Sequence, residues 1–211
     1  MPKRTKSFGW SCSIGRLTAL TIAVAAIVTV AANTARAETW QIDPVHTNIG
    51  FTAQHMMVSN VHGEFDKFNG SISANGKDPS SVKIEATIDA SSINTRSQMR
   101  DNDLKSPNFL DVDKYPTITF KSTKIEPAGD VKWKVTGDLT LHGVTKPVVL
   151  EVVGPTPEVK DPFGNTRRGA SATTKINRQD FGITYNKTLD SGGLVVSNEI
   201  TISIDVEAIK K

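Results

Sequence analysis

The 211-residue chain has a single cysteine, Cys12, close to its N-terminus. The rest of the chain therefore offers no disulfide, no thiol nucleophile and no thiolate ligand for a metal. Aromatic residues make up only 6% of the chain, with Tyr115 and Tyr185 as the two tyrosines. A membrane-spanning barrel carries aromatic girdles at both interfaces, so this scarcity argues against one. An excess of positive charge is missing too. Residues 1–37 hold five of the 25 basic residues and none of the 22 acids, which leaves a net charge of about −2 from residue 38 onward. Nucleic acid calls for a basic stripe with interleaved aromatics, so no such partner is expected. There is no Gly-x-Ser-x-Gly elbow to carry a catalytic serine.

The one long uncharged run, 17–35, follows Lys3, Arg4, Lys6 and Arg16 and ends at "ARA", 35–37. A basic start, an apolar centre and a small-x-small site predict a secretory leader cleaved after Ala37, and hence export to the periplasm. An uncleaved anchor is the alternative, since about twenty apolar residues span a bilayer. The ending at Ala-Arg-Ala favours cleavage. Residues 38–211 then form one domain, long enough to be held by its core alone.

Period-two alternation runs through that domain. In "VKIEATID", Val82, Ile84, Ala86 and Ile88 share one face, opposite Lys83, Glu85, Thr87 and Asp89. In "VKWKVTGDLTL", Val131, Trp133, Val135, Leu139 and Leu141 oppose Lys132, Lys134, Thr136 and Asp138. In "EITISIDVEAI", Ile200, Ile202, Ile204, Val206 and Ala208 oppose Thr201, Ser203, Asp205 and Glu207. Each pattern is a strand with one dry and one wet face. Further runs near 40–54, 61–74, 117–126, 147–154 and 169–178 bring the count to about eight. "ANGKDPSS", "EPAGD" and "HGVTKP" connect neighbours, and 154–169 reads as a long Pro/Gly loop. The segment 96–104 fits a short helix, and "SPN" places Ser106 as an N-cap before Pro107. The fold class is all-β: an antiparallel barrel of about eight strands, with a helical flap between strands three and four.

Such a barrel is just wide enough to be filled by side chains or to hold one small ligand. The inward rows include small residues, namely Ala53, Ala74, Ala86, Gly137, Ala170, Ala172 and Ala208. They either leave room for a ligand or match the taper of a packed barrel, and the pattern does not choose between the two.

Three of the four histidines fall in "HTNIGFTAQHMMVSNVH", 46–62. His46, His55 and His62 are separated by odd intervals, which puts neighbours on opposite faces of a continuous strand, and no carboxylate cluster of ligand spacing lies nearby. No metal site is expected. His46 and His62 fall near strand ends. His55 shares the parity of Ile49, Phe51 and Ala53 and is expected on the dry face, where it needs a hydrogen-bond partner.

The segments "DPVHTNIGFTAQHMMVSNVHGEFDKFNG", "RDNDLKSPNFLDVDKYPTITFKS", "GDLTLHGVTKPVVLEV" and "INRQDFGI" followed by "ISIDVEA" resemble, in order, the YceI family of periplasmic polyisoprenoid-binding proteins. The resemblance covers about 39–209. It implies a lipocalin-like barrel with a hollow, apolar tunnel for a long isoprenoid or similar lipid chain, with no cofactor beyond that ligand and no catalytic residue. Thr47 stands where the family often has serine and preserves the hydroxyl. Asp103 stands where it often has histidine, so no head-group role is carried over to that position.

Mapped by parity, the wall implied is Phe51, His55, Ile84, Ile118, Phe120, Trp133, Val135, Leu139, Leu141, Leu150, Ile176, Ile202 and Ile204, with Phe109, Phe181 and Ile183 near the mouth. A forty-carbon prenyl chain would gain roughly 30 kcal/mol on leaving water at about 0.8 kcal/mol per carbon group, more than the ceiling of about 20 kcal/mol for non-covalent binding. Its real alternative is a bilayer, so exchange is nearly neutral. A flap at 95–115 and the head-group contacts would set its direction. The expectation is a periplasmic carrier, with transient membrane contact and a homodimer as further expectations. The rivals are an enzyme acting on an isoprenoid or quinone through His55, Arg100, Asp101 and Asp180, and a metal-binding or structural stress protein.

Overall fold

The protein is described by a computed structural model at residues 1–3, 9, 37–76, 78–190 and 192–211, so most of the expected leader lies outside the described residues. The strands are β1 (Glu38–Ile42), β2 (Asn48–His55), β3 (Ser59–Phe65), β4 (Phe68–Ala74), β5 (Lys83–Asp89) and β6 (Ile93–Asn94). After the helix α1 (Gln98–Lys105) come β7 (Thr117–Gly129), β8 (Lys132–Leu141), β9 (Val144–Val153), β10 (Val159–Lys160), β11 (Thr166–Asn177) and β12 (Val196–Lys210).

Twelve labels reduce to eight long strands. β12 pairs with β2 along Val196–Asp205 and with β1 along Lys210–Ala208, so β1 and β2 are two halves of one interrupted strand. β3 and β4 follow them in the same way, pairing with β2 and β1 respectively, and β6 and β5 pair in turn with β3 and β4. The order β5–β7–β8–β9–β11–β12 continues round, and the β11–β12 pairing closes an antiparallel barrel.

The three interruptions lie side by side at 43–47, 66–67 and 90–92, and side chains hold them. Ser92 Oγ donates to the Asp89 carbonyl at 2.7 Å and accepts from Lys67 N at 3.0 Å, which ties two of the bends together. Thr47 Oγ1 accepts from Glu207 N at 3.0 Å and clips the first bend to β12. That clip is what the hydroxyl at position 47 contributes.

Alternation predicted the inward face of β8, except at Val131, which falls in the turn before the strand and is exposed. Val135, Gly137, Leu139 and Leu141 are buried while Lys132, Lys134 and Asp138 are exposed. The loops differ in detail. Ser106 is the C-cap of α1 rather than an N-cap, because Ser97 already starts the helix one turn after β6. The 154–169 loop is shortened by the β10–β11 hairpin, and β9 runs through Pro147.

Among the described residues, the barrel is filled at one end. Phe109, Leu110, Ile118, Leu139, Leu141, Ile176, Phe181 and Ile183 form a buried cluster, with Phe51, Phe120 and Ile202 packed against it. Gly137 belongs to this packing, since a Cβ there would sit 2.4 Å from Phe120 Cζ. The segment after α1 brings Phe109 and Leu110 into the lumen, so the expected flap is a plug built into the core. Arg178 anchors the same end from a site only 4% exposed, donating to the carbonyls of Ile183 at 2.6 Å and Ser197 at 3.1 Å and to Asn198 Oδ1 at 3.1 Å.

Candidate functional site: an apolar cavity at the open end

At the opposite end the inward rows leave a cavity of about 750 Å³. Its walls are Trp40 from β1, Ile72 and Ala74 from β4, Ile84 from β5, Ile125 from β7 and Trp133 and Val135 from β8. Val152, Ala170, Val206 and Ala208 complete them from β9, β11 and β12. Small residues at Ala74, Ala170 and Ala208 are what keep the space open. At the other end the same rows carry Phe120, Leu139, Leu141 and Ile176, which close it. Trp133 is fixed by donating from Nε1 to the Gly154 carbonyl at 2.8 Å, and Val135, 2% exposed, forms part of the floor.

The mouth is polar. Glu38, Asp78, Glu158 and Arg168 line it. Lys210 Nζ lies 3.0 Å from Glu38 and 3.5 Å from Glu158, and Arg168 Nη2 lies 3.4 Å from Glu158. The hydrogen bond from Lys210 holds the Glu38 carboxyl below its ordinary value, and the same bond raises Lys210. Both cations sit over the Trp40 ring, Arg168 at 5.3 Å and Lys210 at 5.4 Å from its centroid.

Of the sixteen residues expected to contact a ligand, Ile84, Trp133 and Val135 line this cavity. Phe109, Ile118, Leu139, Leu141, Ile176, Phe181 and Ile183 are core, and Phe51, Phe120 and Ile202 pack against them. Leu150 and Ile204 are half-buried and lie outside the lining. Phe109, Phe181 and Ile183 therefore do not form the mouth; they seal the other end. His55 is corrected as well. It is exposed because β2 runs past the end of the packed wall and turns at Met56 and Met57, both with positive φ. Nor is His62 near a strand end. It sits mid-β3, its Nδ1 3.0 Å from Thr52 Oγ1.

Of the other lining residues, Ala74, Ala170, Val206 and Ala208 lie on faces that alternation marks as inward. Arg168 has the parity of Ala170 and Ala172 but falls in 154–169, which reads as loop.

Two other polar groupings lie outside the cavity. Asp43, His46 and Glu207 place possible ligand atoms within 4.8 Å of one another. Arg167 already supplies the cation, its Nη1 lying 2.6 Å from both carboxylates and its Nε 2.7 Å from Asp161. The His46 hydrogen bond and then Arg167 lower the Asp43 carboxyl to about 2. Asp161 is held far below the usual carboxylate range by Asn165 and Arg167. The arrangement is an ion-pair clasp joining the 43–47 bend to β11 and β12. A groove of about 690 Å³ at the β3 edge is mostly polar, with Asn48, Asn60, His62 and Arg96 in its lining.

The four residues of the enzyme reading do not meet in the cavity. Arg100 donates to Thr95 Oγ1 and the Thr95 carbonyl at 2.8 Å each, and Asp101 accepts from Thr95 N and Oγ1. His55 and Asp180 are exposed.

The sequence profile of the YceI-like domain matches residues 40–208. The chain is 39% identical over 168 residues to the protein YceI of Salmonella newport, covering 79% of this chain and 83% of that one. The Campylobacter jejuni YceI protein, a solved structure, shares 34% identity at a TM-score of 0.64, covering 75% and 90% of the two chains. A polyisoprenoid binding domain from Saccharophagus degradans superposes with a TM-score of 0.60 at 16% identity, covering 82% and 98%, which shows likeness of fold.

Proposed function

Because this chain belongs to the YceI-like domain family, we propose that it binds one long-chain lipid of the isoprenoid class in the apolar cavity at the Arg168 end of the barrel, and carries it through the periplasm. The observation that carries this reading is the cavity itself: about 750 Å³ of mostly apolar space between two tryptophans, in a barrel whose other end is plugged. Its volume and lining are those of a small-molecule site. At about 30 Å³ per water-sized group, it accommodates about 25 carbon groups, or four to five isoprene units. The polyisoprenoid-binding name of a structural neighbour supports the same ligand class.

A carrier reading follows from the energetics. A prenyl chain passing from a bilayer into this cavity exchanges one apolar surrounding for another, so transfer costs little hydrophobic energy and is reversible. The cavity-bearing end carries exposed apolar groups suited to brief contact with a bilayer. Val131 lies in the β7–β8 turn at 62% exposure, and Phe163 lies at the tip of the β10–β11 hairpin at 89%. The separation of Arg100, Asp101, His55 and Asp180 from the cavity favours binding over catalysis.

The test is to purify the protein natively from the exporting host, extract it with organic solvent and identify the released molecule by mass spectrometry. Added polyprenyl lipid is then offered to the stripped protein. An apolar chain in the extract, or stoichiometric uptake of the added one, is expected. Neither release nor uptake would overturn the reading.

A further inference from the structure

We infer that Arg168 reads the polar end of the bound lipid, donating from Nε to an uncharged oxygen acceptor at the cavity mouth while the chain runs inward toward Val135. This deepens the lipid-binding reading above and rests on it.

Arg168 is out of place on its wall. By parity it shares a row of β11 with Ala170, Ala172, Thr174 and Ile176, which is otherwise uncharged. A guanidinium facing an apolar cavity is costly unless its N–H groups find acceptors. Two features hold it: its face lies over Trp40 at 5.3 Å and its Nη2 is 3.4 Å from Glu158. Its Nε is sealed from solvent and has no hydrogen-bond partner among the described residues. A buried donor without an acceptor is destabilising, so its persistence at a cavity mouth points to an acceptor that arrives with the ligand.

Charge at the mouth defines that acceptor. Glu38, Asp78 and Glu158 line it against Arg168, and Lys210 is engaged with Glu38 and Glu158. Three carboxylates against two cations leave the mouth net negative, which disfavours a phosphate or diphosphate head. A carbonyl or comparable neutral oxygen meets the Nε–H without that repulsion. Trp40 covers one face of the guanidinium at 5.3 Å, which leaves the in-plane Nε–H free for an acceptor.

The experiment offers wild-type protein, Arg168→Met and Arg168→Lys three C20 isoprenoids of the same chain: the hydrocarbon, the aldehyde and the monophosphate. Binding is followed through the tryptophan fluorescence of the cavity. Wild type is expected to bind the aldehyde about tenfold tighter than the hydrocarbon, the size of one hydrogen bond from a charged donor, and the monophosphate no tighter than the aldehyde. Arg168→Met should lose the aldehyde preference, read as the ratio of aldehyde to hydrocarbon affinity within the variant. Arg168→Lys, which retains the charge and the reach to Glu158 without an Nε–H, should lose it too. Equal binding of aldehyde and hydrocarbon by wild type, a preference that survives in either variant, or a monophosphate that binds tightest would overturn the assignment while leaving lipid binding intact. Failure of wild type to bind any of the three would overturn the lipid reading and this inference with it.

Discussion

Val206→Phe separates the cavity from the rest of the barrel. Val206 faces the lumen on β12 directly opposite Ala170, whose small side chain leaves room for a ring. The substitution adds four carbons, about 120 Å³ at ~30 Å³ per water-sized group, to a cavity of about 750 Å³. A chain that fills the cavity then loses burial for about four carbon groups, or ~3 kcal/mol at about 0.8 kcal/mol each. That corresponds to a loss of about a hundredfold in affinity measured against water. A ten-carbon chain leaves more than half the cavity empty and should bind as before. The ring packs in open space and both residues favour strands, so fold stability should be unchanged or raised by up to ~1 kcal/mol. The assay is isothermal titration with C10 and C25 isoprenoid alcohols, paired with urea unfolding, since about 25 carbon groups at ~30 Å³ each fill the cavity. Leu141→Ala, in the packed end, is the control: it should cost ~2–5 kcal/mol of stability with no change in binding that depends on chain length. Unchanged C25 affinity in Val206→Phe would refute the placement of the chain. An equal loss for C10 and C25 would refute the volume argument.

Three further outcomes follow from the frame around the cavity. Arg178→Met leaves the Ile183 and Ser197 carbonyls and Asn198 Oδ1 without their donor; it should lower stability by ~3 kcal/mol or more in urea unfolding, and a loss under ~1 kcal/mol would contradict its anchoring role. Gly137→Ala puts a Cβ 2.4 Å from Phe120 Cζ and 2.7 Å from the Lys121 carbonyl oxygen; thermal unfolding should show a loss of ~1–3 kcal/mol from overpacking, and a neutral substitution would show that the ring yields freely. Asp43 has its folded value lowered to about 2, so its ionised form stabilises the fold above the ordinary carboxylate value of about 4, and that stability is lost as pH falls through the lowered value. Asp43→Asn should therefore be less stable than wild type near neutral pH, with the two stability curves converging below about pH 2; a gap independent of pH would place the effect elsewhere.

Much of this architecture was legible in the residues. Strict alternation in 82–89, 131–141 and 199–209 located strands and chose their inward faces, because a strand with one dry face has few alternatives. Position along the barrel axis was not legible. Parity treats Trp133 and Leu141 alike, yet they sit at opposite ends of β8, one beside a cavity and one in a packed core. What decides between them is long-range. Phe109 and Phe181 come from segments outside the alternating strands and fill one end, whereas Ala74, Ala170 and Ala208 converge at the other. The 43–47 bend was invisible for the same reason, since its anchors Arg167 and Glu207 lie far along the chain. His55 kept its parity with Phe51 and still missed the interior, because the strand outruns the barrel wall.

The central claim is that one lipid chain lies at the Arg168 end of the barrel and leaves the plugged end undisturbed. Photocrosslinking tests it most directly, using a C20 isoprenoid with a diazirine near the end of its chain and peptide mapping of the adducts. Labelling concentrated on cavity-wall peptides around Trp40, Trp133 and Val206 is the result expected. Labelling concentrated around Phe109 and Phe181, or spread over the outer surface, would contradict it.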